Sequence, residues 1–134
     1  MTTIEEHKKT VKELEEDIKE KVRTGILEQR QKIIGFATSE AATNLFALFL
    51  HKKKLVSEGT AINHRWFASL KRATEKFPFE FPKKHELVQK LVRQEQLRER
   101  LCYGRAKTKK DAEEAVKNFF EIKEIVQDEI GEEI

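Results

Sequence analysis

One cysteine in 134 residues, Cys102, excludes an intrachain disulfide and any zinc site built from several cysteines. No run approaches the roughly 20 apolar residues of a membrane-crossing helix, and the densest stretch, residues 45–50, suits a buried helix segment. The opening residues MTTIEEHKKT lack the apolar core of a signal peptide, so a cytoplasmic protein without a membrane partner is expected. Also missing are a glycine-rich phosphate loop, HExxH, GxSxG and an acidic loop with calcium spacing. The four histidines, His7, His51, His64 and His85, form no helical ligand pair. No cofactor, no metal and no conventional hydrolase chemistry are therefore expected. Prolines number two, Pro78 and Pro82, leaving long stretches on either side free of helix breakers.

What is present is periodic. Charged and hydrophobic residues each make up 38%, but the net charge is only +3 and apolar residues recur throughout, which is the pattern of a folded domain. A single domain over residues 1–134 is expected, with an N-terminal helix in 1–24. Thr2 and Thr3 each precede a glutamate by three positions, which is capping-box spacing, and Ile4, Val11, Leu14, Ile18 and Val22 form a narrow apolar stripe. Gly25 ends or kinks this helix. In the next, Ile33, Phe36, Ala37, Ala41, Leu45, Leu48 and Phe49 recur at helical spacing, while Ala42, Phe46, Ala47 and Leu50 make its second half apolar nearly all round, as befits a central element.

Ser57-Glu58-Gly59 reads as a turn, followed by a third helix from about Thr60 or Asn63 to Lys76 that buries Ile62, Trp66, Phe67 and Leu70. Phe77, Phe79 and Phe81, interleaved with the prolines, fold back over the bundle end. A fourth helix runs from about Lys84 to Leu101, and Thr108 is the capping candidate for a fifth over roughly 109–130. The expected fold is all-α, an up-and-down bundle of four to five helices.

Charge is unevenly spread: net −1 over residues 1–50, +11 over 51–110 and −7 over 111–134. The middle segment suits a phosphate-bearing partner, unless the acidic last helix neutralises it. On the fourth helix, Arg98 lies about 20° from Leu87 on the apolar face, whereas Arg93 and Arg100 point about 240° and 220° away from it. A guanidinium on that face must be paired or open into a cleft, and Glu40 is the obvious partner. Glu40 and Asn44 share a face of the central helix. Tyr103 and His64 could add a hydroxyl and an imidazole to the same cluster, and Lys52, Lys53 and Lys54 would broaden its positive field.

The segments SEAATNLFALFLHKKKLVSEGTAINHRWFASL, LRERLCYG and TKKDAEEAVKNFFEIKEIV, in this order, resemble the HEPN family (higher eukaryotes and prokaryotes nucleotide-binding), notably its small stand-alone prokaryotic members. The resemblance covers residues 30–128. It implies a HEPN-like bundle, a homodimer around a shared cleft, and a nucleotide- or RNA-binding module of a toxin–antitoxin or nucleotidyltransferase-associated system. A non-catalytic subunit docking a nucleotidyltransferase partner, or a degenerate ribonuclease, are the alternatives it leaves open. Ribonucleases of the family carry an Arg followed, after four to six residues, by a His. Here Tyr103 stands where the pattern from Arg98 wants the imidazole, so ribonuclease activity is not expected unless His64 is brought beside Arg98.

Overall fold

The computed structural model describes residues 3–57 and 59–134; Thr2 and Glu58, invoked above as a cap and as part of a turn, lie outside the described residues. Five α-helices form the chain: α1 (Ile4–Arg23), α2 (Gln31–Lys52), α3 (Leu70–Lys76), α4 (Lys84–Cys102) and α5 (Lys109–Ile130). The protein is an all-α bundle with α2 at its centre, in contact with α1, α4 and α5.

Each helix begins and ends for local reasons. Thr3 and Glu6 form a reciprocal capping box, Oγ1 of Thr3 accepting from the Glu6 amide and the Glu6 carboxylate from the Thr3 amide. Gly25 ends α1: its left-handed φ of 68° lets the Gly25 and Ile26 amides bond the carbonyls of Val22 and Lys21 in a Schellman turn. Thr108 does stand at the N-cap of α5, but its side chain makes no capping bond.

The third helical region differs most from expectation. Instead of one helix there are two pieces, a 3-10 turn at His64–Phe67 and α3 at Leu70–Lys76. Two local caps compete with continuity: Asn63 accepts from the Arg65 amide and Ser69 from the Arg72 amide. The break turns Leu70 outward, so it is exposed rather than buried, while Trp66 stays half-buried.

The core is aromatic at one end. Phe46 of α2 meets Phe77 at 5.0 Å and 87° and Phe67 at 5.6 Å and 75°, and Phe49 meets Phe81 at 5.5 Å, edge-on geometries that favour aromatic pairs. Phe77, Phe79 and Phe81 therefore cap the bundle as expected, Phe77 and Phe81 buried and Phe79 half-buried, so they offer little surface for a homodimer contact. The exposed large apolar side chains are instead Val22, Ile33, Phe36, Leu70 and Tyr103. Val22 lies in the last turn of α1, and Ile33 and Phe36 lie on the first half of α2.

By length and composition the stretch Glu28–Lys52 could cross a membrane, but 78% of its apolar window is buried by the rest of the bundle. Opposite the core, α5 lies along α4 and pairs with it: Lys90 with Glu121, Arg93 with Glu114 and Arg100 with Asp111. The acidic last helix thus neutralises much of the basic charge on α4. Arg93, expected in open solvent, is only half-exposed because both its Nε and Nη2 donate to Glu114.

Candidate functional site

A cleft of about 590 Å³ opens between α1, α2 and residues 61–66. From α1 it receives His7, from α2 Glu40, Thr43 and Asn44, and from the 3-10 turn and its approach Asn63, His64, Arg65 and Trp66. Asn63 fixes that wall by capping the turn, which sets Arg65 exposed at the rim and Trp66 half-buried beside it.

The α2 side is organised by hydrogen bonds. Asn44 donates its amide Nδ2 to the Glu40 carbonyl at 2.8 Å, so its Oδ1 faces His7 and accepts from Nδ1 at 2.7 Å. That assignment puts the His7 proton on Nδ1 and leaves Nε2 buried, with no hydrogen-bond partner among the described residues. Burial holds the His7 imidazole below its ordinary pKa, the bond to Asn44 opposes this, and the neighbouring His51 adds to it. The His51 ring stacks at 5.6 Å, and its Nε2 donates to the Thr60 carbonyl at 3.2 Å.

Arg98 is found on the core side of α4. Its Nη1 donates to Glu40 Oε1 at 2.8 Å and to Ser39 Oγ at 3.3 Å, and its guanidinium lies 5.3 Å from the Phe36 ring centroid. Only 13% of the side chain is exposed. Nε and Nη2 make no hydrogen bond among the described residues, so the ion pair with Glu40 leaves part of the donor fork free.

On the preceding turn of α4, Glu95 is buried and both carboxylate oxygens accept from Nδ1 of His64 at 2.9 Å. Burial raises the Glu95 pKa, while the His64 bond and the Arg98 charge pull it back. Glu40, Asn44 and His64 thus line one cleft, with Arg98 paired to Glu40 behind it as its position on α4 suggested.

The other expected site residues do not line the cleft. Tyr103 is the C-cap of α4, 62% exposed, with no hydrogen bond to its phenol among the described residues, because the extended backbone there carries it past the last turn. Lys52 turns to Glu132 at 3.4 Å, and Lys53 and Lys54 stand in solvent beyond the end of α2. Burial pushes the Cys102 thiol up, and its Sγ donates to the Lys32 carbonyl at 3.4 Å.

Two central residues, His7 and Glu95, escaped the reading of the sequence. The signals were present. His7 continues the α1 stripe between Ile4 and Val11, and Glu95 follows Leu91 by one turn on the apolar face of α4. Arg65 was likewise hidden among many exposed basic residues.

Among the described residues no group of three or more His, Cys, Asp or Glu side chains is placed to hold a metal ion. No family model, curated protein or solved structure matches the chain. The HEPN resemblance accordingly rests on the residues quoted above.

Proposed function

We propose that the protein is a nucleotide- or RNA-binding helical module whose ligand enters the cleft between α1, α2 and residues 61–66. The observation that carries this reading is the juxtaposition at one opening of an aromatic ring, a free guanidinium and amide groups: Trp66, Arg65, Asn63 and Asn44. A base stacks on an aromatic face and a phosphate pairs with a guanidinium, which is the combination single-stranded nucleic acids require. Arg98, with half of its fork unused, adds positive charge behind Glu40. The resemblance to the HEPN family supports the same ligand class and carries with it the toxin–antitoxin or nucleotidyltransferase-associated setting.

The test is binding of an oligoribonucleotide measured as a function of salt. Each phosphate contact contributes a slope of about −0.7 in log K against log salt for a single strand. Arg65→Ala and Arg98→Ala are each expected to weaken binding and flatten that slope with helicity intact. Binding that is insensitive to salt and to both substitutions would contradict the proposal.

A second reading has its own observation. Ile33 and Phe36 lie one turn apart on α2, exposed, and Arg98 sits against Phe36. This is the surface on which a second copy, or a nucleotidyltransferase partner, would dock. Sedimentation of the protein and of Phe36→Glu tests it: a dimer that the substitution dissociates favours the docking surface, and a monomer in both cases removes the homodimer.

A further inference from the structure

Resting on the nucleic-acid reading of the cleft, we infer that its ligand is a single-stranded polynucleotide rather than a mononucleotide, and that the strand leaves the cleft past Trp66 and runs over a basic flank of α3 formed by Arg72 and Lys76. Positive charge is left unanswered in one part of the molecule. The five Lys and Arg side chains of α4 each hold a carboxylate, three of them on α5, one on α2 and one at Glu80. Residues 59–79, by contrast, carry four such cations, Arg65, Lys71, Arg72 and Lys76, against a single acid, Glu75. All four are exposed, and among the described residues none of them pairs with a carboxylate. The acidic last helix neutralises α4 and leaves this segment positive.

Helical geometry puts two of these cations on one side. Ala73 is the buried residue of α3, and at 100° per residue Arg72 and Lys76 stand about 100° and 60° to the same side of it, one turn apart. Leu70 and Thr74 take the opposite flank. Lys76 shows which flank adjoins the cleft, because its Nζ lies 5.1 Å from the Trp66 ring centroid. Trp66 also lines the cleft beside Arg65, so one ring is shared between the opening and the flank. The break before α3, where Ser69 caps the helix through the Arg72 amide, starts this second element directly beside the ring.

The chemistry of the flank selects the form of the ligand. A mononucleotide has its base and phosphate served by Trp66 and Arg65, and two further cations beyond the ring meet further phosphates, which only a chain of nucleotides supplies. A duplex keeps its bases stacked on one another and away from Trp66, so the chain is single-stranded. A base that stacks on the Trp66 face covered by Lys76 displaces the ammonium, which passes to the adjoining phosphate. Guanidinium and ammonium groups read phosphate and not the ribose hydroxyl, so the flank adds the same affinity to ribose and deoxyribose strands.

The test titrates the intact chain, across a salt series, with a dinucleotide, with a single strand of about twelve nucleotides in ribose and deoxyribose forms, and with polyglutamate. The longer strands should bind more tightly than the dinucleotide, with a slope of log K against log salt steeper by about 1.4, the share of two phosphate contacts. Arg72→Gln combined with Lys76→Gln should remove that steepening with helicity unchanged, since both side chains are exposed. Arg30→Gln combined with Arg105→Gln removes the same charge from exposed positions at the start of α2 and beyond the end of α4, and should leave the steepening in place. A dinucleotide bound as tightly as the longer strands, or a gain that survives Arg72→Gln with Lys76→Gln, would overturn the course over α3 and leave the cleft reading standing. A gain lost equally in both double variants would reduce the effect to net charge and overturn it too. Polyglutamate bound with the same dependence on Arg72 and Lys76 would assign the flank to an acidic protein instead. Failure to bind any of the nucleic acids would overturn both the flank and the cleft reading.

Discussion

Nδ1 of His7 and Oδ1 of Asn44 lie 2.7 Å apart and tie α1 to α2 inside the bundle, with His7 almost wholly removed from water. The bond gives one imidazole nitrogen a partner, and the other has none among the described residues. Protonating this ring would place a charge beside His51 with no acceptor for the new N–H.

A pH dependence of stability follows. The folded-state pKa of His7 is below its ordinary value of 6.5, so between the two values the unfolded chain holds the extra proton. The contribution is complete above about 6.5 and is lost as the pH falls toward the folded value. In urea unfolding on either side of pH 6.5, the native protein should lose more stability on the acid side than His7→Gln. Equal losses would show that His7 is not the responsible group.

Gly35 marks the closest approach of α2 to α4. A Cβ there would stand 2.8 Å from Leu101 Cβ and 3.0 Å from Cys102 Sγ. Gly35→Ala gains about 1 kcal/mol of helix propensity, but overpacking costs roughly 1–3 kcal/mol and Leu101 Cβ cannot swing aside. The expected outcome is a net loss of stability, read by chemical denaturation; a stabilised variant would mean that the helices separate freely.

Two phenylalanines ten residues apart on α2 should behave oppositely. Phe46 is fully buried among Phe67, Phe77 and Phe81, and Phe46→Ala should cost about 3–5 kcal/mol. Phe36 is 47% exposed, and Phe36→Ala should change monomer stability by only about 0.5 kcal/mol. Comparable losses from both would place the core elsewhere.

Helical periodicity makes most of this architecture legible, because α1, α2, α4 and α5 are long enough for an apolar face to declare itself. Angular position on α4 likewise places Arg98 on the apolar face, where Glu40 is its partner. Residues 60–70 are different: Asn63 and Ser69 offer local caps as good as a continued helix, and only packing against α4 decides between them. The His64–Glu95 contact depends on that choice, joining positions 31 residues apart. The outward turn of Ile33 and Phe36 is equally hidden, since spacing identifies a stripe but not where the neighbouring helices stop covering it.

Trp66 is the chain's one tryptophan and it lines the cleft, so its emission reports directly on occupancy. Titration of the protein with an oligoribonucleotide at low salt should give a saturable change in Trp66 fluorescence. The midpoint should rise as salt is added and rise again in Arg65→Ala. Emission that stays constant through the low-salt titration, or a response of equal affinity in Arg65→Ala, would contradict nucleic-acid binding in this cleft.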